Sequence, residues 1–369
     1  MTAIINDQRA PKTIQRKVEA IVGGALLNTV GKAAAKHTFR KSKLVAKEVY
    51  LPKCGYTMYY HEREAAAISG GDESKQDDVH NQQTIIFFHG LSMRSEELAG
   101  FITSLDIPPH IRILVPEQMG HGRDIDNRLH VDPDNYTMPT HQRMLESTSE
   151  FLDVVKCSSN TNAFGISLGG GVCYYIQHHR SDIIQRAALV SPAILCCVDK
   201  NLVNGIRDGR NTFISLQSRE DAKLLMRDLS TGRDDDARKK KDPVPKFFLE
   251  TVYRENKKKN QNIEGHFRGL MLNLVEPTEL PFAAVKDIDT ESHRLVIWPE
   301  KDRIINYEEG KLFFEVSSSD SEDGGLVSKS ANTEFESIAD CGHVFHSDGR
   351  GIFDIIKPRV KEYLLDFKE

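Results

Sequence analysis

Apolar residues along the chain fall into distinct patterns, and each predicts a different element. Runs that are apolar almost throughout stand at "TIIFFHG" (84–90), "IRILVPE" (111–117), "NAFGIS" (162–167), "RAALVSPAI" (186–194) and "RLVIWPE" (294–300). Such runs suit strands covered on both faces of a parallel sheet. Helical spacing marks "THQRMLESTSEFLDVVK" (140–156), "GGGVCYYIQHH" (169–179), "NYEEGKLFFEV" (306–316) and "GIFDIIKPRVKEYLLDF" (351–367). Pro358 is expected to kink that last helix or to set its start. "LVAKEVYL" and "YTMYYHER" flank a short turn and read as two paired strands, and "TEFESIAD" (333–340) as the final strand. Strand and helix alternate, which predicts an α/β fold: a mostly parallel sheet with helices on both faces.

The alternation breaks once. About a hundred residues separate the strand at 186–194 from the next buried run, against the roughly 10–12 that a simple crossover needs. Residues 195–290 are therefore expected to form an inserted helical lid, dividing a core of 44–194 from its second part, 291–369. Helix-like stretches within the insertion are "SREDAKLLMRDL" and "VPKFFLETVYREN". Leu224, Leu225, Phe247, Phe248 and Leu249 suit either the lid's own core or the wall of an acyl pocket. Its basic runs at 238–241 and 257–259 are flanked by aspartates, the mark of a solvated surface. Polar, Gly-containing stretches at 64–83 and 317–332 read as exposed loops.

Residues 1–43 stand apart. They hold nine Lys/Arg against Asp7 and Glu19, with apolar residues from Val18 to Ala33 at helical spacing. Three readings stay open: a helix packed on the domain, a peripheral contact with an anionic membrane surface, or an organellar transit peptide. The corresponding locations are the cytoplasmic side, with membrane association, or an organelle such as the mitochondrion. No stretch reaches the ~18 consecutive apolar residues of a membrane span. The net charge of −5 gives no reason to expect a nucleic-acid partner. Six scattered cysteines without a C-x-x-C pair suit free thiols in a reducing compartment.

Chemistry concentrates at strand ends. Gly165-Ile166-Ser167-Leu168-Gly169 matches G-x-S-x-G, between a predicted strand and a predicted helix. In that setting the serine sits on a sharp turn with its hydroxyl exposed, and bulky neighbours are excluded. A helix N-cap is the plain alternative. A phosphate loop is excluded by the missing G-K-[ST]. A serine nucleophile needs a base and an orienting acid, here in the order Ser, Asp or Glu, His. Asp302 follows one buried strand and His343 the next, with Glu300 and His346 as competitors. Alone, an Asp in a turn is a cap and a His after a strand is structural. Together, at the carboxyl ends of parallel strands, they converge on one rim. Two backbone N–H groups, of Leu91 and Leu168, are expected to form an oxyanion hole. His89 and His121 read as structural residues of the neighbouring loops, and no cofactor or metal is implied.

"FFHGLS", "PEQMGHG", "FGISLGG", "VIWPEKDRII" and "DCGHVFH" follow one another as in the α/β-hydrolase superfamily, which residues 44–369 resemble. Within it the chain looks like the membrane-associated monoacylglycerol lipases and esterases. The resemblance implies Ser167 as nucleophile, Asp302 as acid, His343 as base, and Leu91 and Leu168 at the oxyanion positions. It implies a small-molecule ester or lipid as substrate, such as a monoacylglycerol. An acyltransferase, or a hydrolase of C–C or thioester bonds, shares the same residues, and a non-catalytic binding member shares the fold. A serine in the elbow is unlike the epoxide hydrolases and haloalkane dehalogenases. Four positions depart from the family pattern: Glu117 and Met119 stand where Asp and Pro are usual, Ile166 where Thr, His or Asn is frequent, and Pro299 where Gly is usual.

Overall fold

The computed structural model describes residues 39–66, 82–129, 136–194, 197–198, 200–208, 218–230, 250, 253–254, 264–275, 292–315, 332–346 and 350–367. Expectations for residues 1–38, the loop at 67–81, most of 231–263 and residues 316–331 lie outside these. So do Phe247, Phe248, Leu249 and both basic runs.

Eight strands form one sheet: β1 (Val45–Leu51), β2 (Tyr56–Arg63), β3 (Thr84–Phe88), β4 (Arg112–Pro116), β5 (Thr161–Ile166), β6 (Ile184–Val190), β7 (His293–Pro299) and β8 (Thr333–Ile338). Their order is β1-β2-β4-β3-β5-β6-β7-β8. β2 runs antiparallel to β1 and β4, and every other pairing is parallel. Register places Ile166 opposite Val190 and Val190 opposite Ile297, so β5 and β6 end level with one another and β7 runs two residues further.

The apolar runs are explained by two cores. Ile85, Phe87, Phe164, Val190 and Ile297 face α1 (Ala99–Ser104) and α8 (Ile352–Leu364). Their neighbours Ile86, Phe88, Ala163, Leu189 and Val296 face α2 (His141–Val154), α3 (Leu168–His179) and α7 (Tyr307–Glu315). Successive side chains of a strand leave on opposite faces, so only continuous apolarity covers both. Thr140 caps α2 by accepting from the Arg143 N–H at 3.2 Å. Pro358 lies inside α8 rather than at its start, which falls at Ile352 behind Gly351.

Trp298 near the end of β7 is fully buried against Phe314 and Phe335. Its indole N–H donates to the Ile305 carbonyl at 3.2 Å, spanning the turn after β7. Gly310 leaves room for the indole, since a β-carbon there would stand 2.3 Å from it.

Residues 39–42 form a helical turn, and the Phe39 ring meets His61 edge-on at 5.1 Å. Between β6 and β7 the described residues hold α4 (Lys200–Arg207), α5 (Arg219–Leu229) and α6 (Glu264–Val275). Only α5 was anticipated; Ser218 and Asp221 close a capping box at its start. Leu225 packs with Ala222 against Leu229 and Tyr253, a small core of the insertion's own.

His141 gives the fold a pH dependence. It is buried in α2, edge-on to Tyr175 at 5.1 Å, and burial pushes its imidazole down to about 4. The neutral form is the folded form, so stability is intact above the unfolded value of 6.5 and is lost as pH falls towards 4. By pH 5 the loss is on the order of 2 kcal/mol. Urea unfolding at pH 8 and pH 5 is expected to show a correspondingly smaller acid-side loss for His141→Phe than for the parent.

Candidate active site

Ser167 follows β5 directly and starts α3. Its φ of 55° and ψ of −121° are a left-handed, strained conformation for a residue with a side chain. Three hydrogen bonds hold it there. Its N–H donates to the Val190 carbonyl at 2.9 Å, and its carbonyl accepts from Gly171 at 3.0 Å and Ala193 at 2.8 Å. The flanking glycines are steric necessities: a β-carbon at Gly165 would lie 2.3 Å from the Gly169 carbonyl oxygen, and one at Gly169 would lie 2.3 Å from that of Phe88. Ile166 is 6% exposed and sits in the core under α1 and α8, so its size is a packing choice on the buried side of the turn.

Asp302 and His343 are brought together. The His343 Nδ1–H donates to Asp302 Oδ2 at 2.7 Å, and both side chains are buried. The other oxygen, Oδ1, accepts from the N–H groups of Ile304 at 2.9 Å and Ile305 at 3.0 Å. Asp302 is thus a turn cap and a histidine partner at once. The competitors lie elsewhere. Glu300 is exposed and accepts from the Ser337 hydroxyl at 2.9 Å. The His346 N–H pairs with the Arg350 carbonyl at 2.9 Å. No described residue hydrogen-bonds the Ser167 hydroxyl, so the structure joins Asp302 to His343 but not His343 to Ser167.

The loop after β3 reaches the elbow. A β-carbon at Gly90 would lie 3.6 Å from Ser167 Cβ, which sets Leu91 one residue from that contact. Leu168, after Ser167, opens α3. His89 is fully buried: its Nδ1–H donates to the Gly90 carbonyl at 2.9 Å, and its Nε2 accepts from the Gln118 N–H at 3.2 Å. The Gln118 amide also donates to the His89 carbonyl. Gln118 thereby locks the two strand-end loops together, a role that no sequence signal marks. His121 is buried, with Nδ1 3.1 Å from the Met119 carbonyl, and its ring meets that of His89 at 5.2 Å.

Glu117, a departure from the family pattern, occupies the space a side chain at Gly122 would need: a β-carbon there would stand 1.8 Å from Oε1. Burial pushes its carboxyl above the usual range, and the N–H groups of Arg123 and Ser95 draw it back down. From the insertion, His266 on α6 reaches the same loop, with Nε2 2.9 Å from the Gly120 carbonyl. Beside it lies a cavity of about 310 Å³ lined by Met119, Asp124, Arg128 and Tyr136. A second, of about 490 Å³, adjoins the β1–β2 turn at Cys54 and Glu150. Neither is lined by Ser167, Asp302 or His343.

No protein-family model and no curated protein sequence matches the chain. Solved structures do. An esterase from Exiguobacterium antarcticum superposes with a TM-score of 0.58 at 12% identity, over 87% of this chain and 99% of the esterase. A candidate lipase from Acinetobacter baumannii gives 0.58 at 15% identity, over 90% of this chain and 95% of its own. A bacterial membrane phospholipase A gives 0.55 at 14% identity, over 90% and 92%. With its mostly parallel eight-stranded sheet and helices on both faces, the chain has the α/β-hydrolase fold shared by these lipases and esterases.

Proposed function

We propose that the protein is a serine hydrolase of carboxylic esters, acting on lipid monoesters such as monoacylglycerols through Ser167, His343 and Asp302. The observation that carries this reading is the buried 2.7 Å contact between His343 and Asp302, at the same sheet rim as a serine held in the elbow conformation. In the reaction, Ser167 Oγ attacks the ester carbonyl and His343 Nε2 takes its proton. Asp302 fixes the imidazole tautomer through Nδ1 and balances the charge of the imidazolium. The N–H groups of Leu91 and Leu168 stabilise the tetrahedral oxyanion. His343 then returns the proton to the leaving alcohol, and water releases the acyl group by the same steps reversed. The insertion between β6 and β7 supplies the apolar cover that an acyl chain needs. The base–nucleophile hydrogen bond is absent here, and such bonds commonly tighten only when substrate binds.

For residues 1–43, the proposal is contact with an anionic membrane surface, supported by their basic amphipathic pattern.

Three outcomes are expected. A fluorophosphonate probe labels the parent protein, and Ser167→Ala abolishes both labelling and ester turnover, lowering kcat by at least about 10⁴-fold. Persistence of parental esterase activity in that variant removes the proposal. Asp302→Asn is expected to lower kcat by about 10³–10⁴-fold on a short ester, because the imidazole tautomer is no longer enforced. Full-length protein is expected to sediment with vesicles of anionic phospholipid, and a chain starting at residue 39 to remain in the supernatant.

A further inference from the structure

The loop that carries His343 is braced from several sides. Within the loop, the Gly342 N–H donates to the Phe345 carbonyl at 2.9 Å. From the core, the Ile352 N–H at the start of α8 donates to the Val344 carbonyl at 2.8 Å. In the turn after β7, the Lys301 N–H donates to the Cys341 carbonyl at 3.0 Å. The remaining brace comes from the insertion. The carbonyl of Leu229, the last residue of α5, accepts from Val344 at 2.8 Å and from Phe345 at 3.2 Å. The last carbonyls of a helix have no partner within it, so this one is free to hold two donors. The approach is close: a β-carbon at Gly342 would stand 1.6 Å from the Ser230 carbonyl oxygen.

We propose that the carboxyl end of α5 is a positioning element for His343, so that the seating of the insertion sets the geometry of the catalytic base. The inference rests on the serine hydrolase reading and deepens it: the insertion acts on the chemical step as well as on substrate binding. Val344 and Phe345 directly follow His343, so a shift of α5 moves the two N–H groups that fix the backbone on its carboxyl side. Nδ1 stays tied to Asp302, and the imidazole pivots about that contact, which changes the reach of Nε2 towards Ser167. The carboxyl end of a helix also carries partial negative charge, which favours an imidazolium formed nearby.

The test uses two full-length variants. Gly342→Ala forces α5 away from the loop. Leu225→Ala truncates a buried residue of α5 one turn before Leu229 and leaves the loop sequence intact. Kinetics on p-nitrophenyl acetate, an ester too short to depend on an acyl pocket, separate kcat from KM, with thermal melts confirming that each variant is folded. Both variants are expected to lose about 10- to 100-fold in kcat with KM changed by less than about threefold, and to react with a fluorophosphonate more slowly by a similar factor. An unchanged kcat, or a loss confined to KM, overturns the inference while leaving the hydrolase reading intact. If Gly342→Ala does not fold, Leu225→Ala decides alone. A parent protein that no fluorophosphonate labels at Ser167 overturns the hydrolase reading and this inference with it.

Discussion

Where α3 leaves β5, backbone meets backbone with no space for a single methyl group. The carbonyls of Phe88 and His89 lie 2.3 and 2.5 Å from where a β-carbon of Gly169 would stand. This approach sets the rest of the site. It fixes the first turn of α3 against the end of β3 and leaves Ser167 no room to relax from its left-handed conformation. It also places the β3 loop, with Gly90 and Leu91, beside the serine. The strain of such a residue costs about 1–3 kcal/mol and persists only where the surroundings over-determine it. Here the turn after β6 does so, by engaging both the N–H and the carbonyl of Ser167.

Asp302 shows how an ordinary structural role and a chemical one merge. A short turn after a buried strand leaves N–H groups without partners, and an aspartate is a usual way to satisfy them. Oδ1 does that work for Ile304 and Ile305. The carboxylate is thereby immobilised, and Oδ2 is left with a fixed direction in which to meet His343. Local turn chemistry and the histidine partner are two ends of one rigid group, so reading the residue as a cap and reading it as an acid are not alternatives.

Much of the fold was legible because burial on both sheet faces demands continuous apolarity, and the five runs that have it are strands β3 to β7. Ser167, Asp302 and His343 stood out as candidates because they lie in the turns after β5, β7 and β8, where turn residues are conspicuous. The helices α4 and α6 were not anticipated. Ile206 of α4 and Leu270 and Met271 of α6 join the core beneath α2, α3 and α7, and such contacts between segments distant in sequence leave no local period. Of the two readings of Pro358, a kink or a helix start, the start falls away: α8 begins at Ile352 and runs through the proline, anchored by Ile352, Ile356 and Val360. Gln118 was invisible because its role depends on two loops meeting in space. Ile166 looked odd beside the family pattern only until its burial under α1 and α8 was known.

Trp298 gives the Asp302 turn an optical signature. It is the one tryptophan in the chain, it is wholly excluded from water, and its indole N–H is bonded to Ile305, a residue whose own N–H is held by Asp302. Intrinsic tryptophan emission from this protein therefore comes from a single, dry position next to the turn that holds Asp302. Its wavelength reports on solvent entry at that turn, free of background from any other indole.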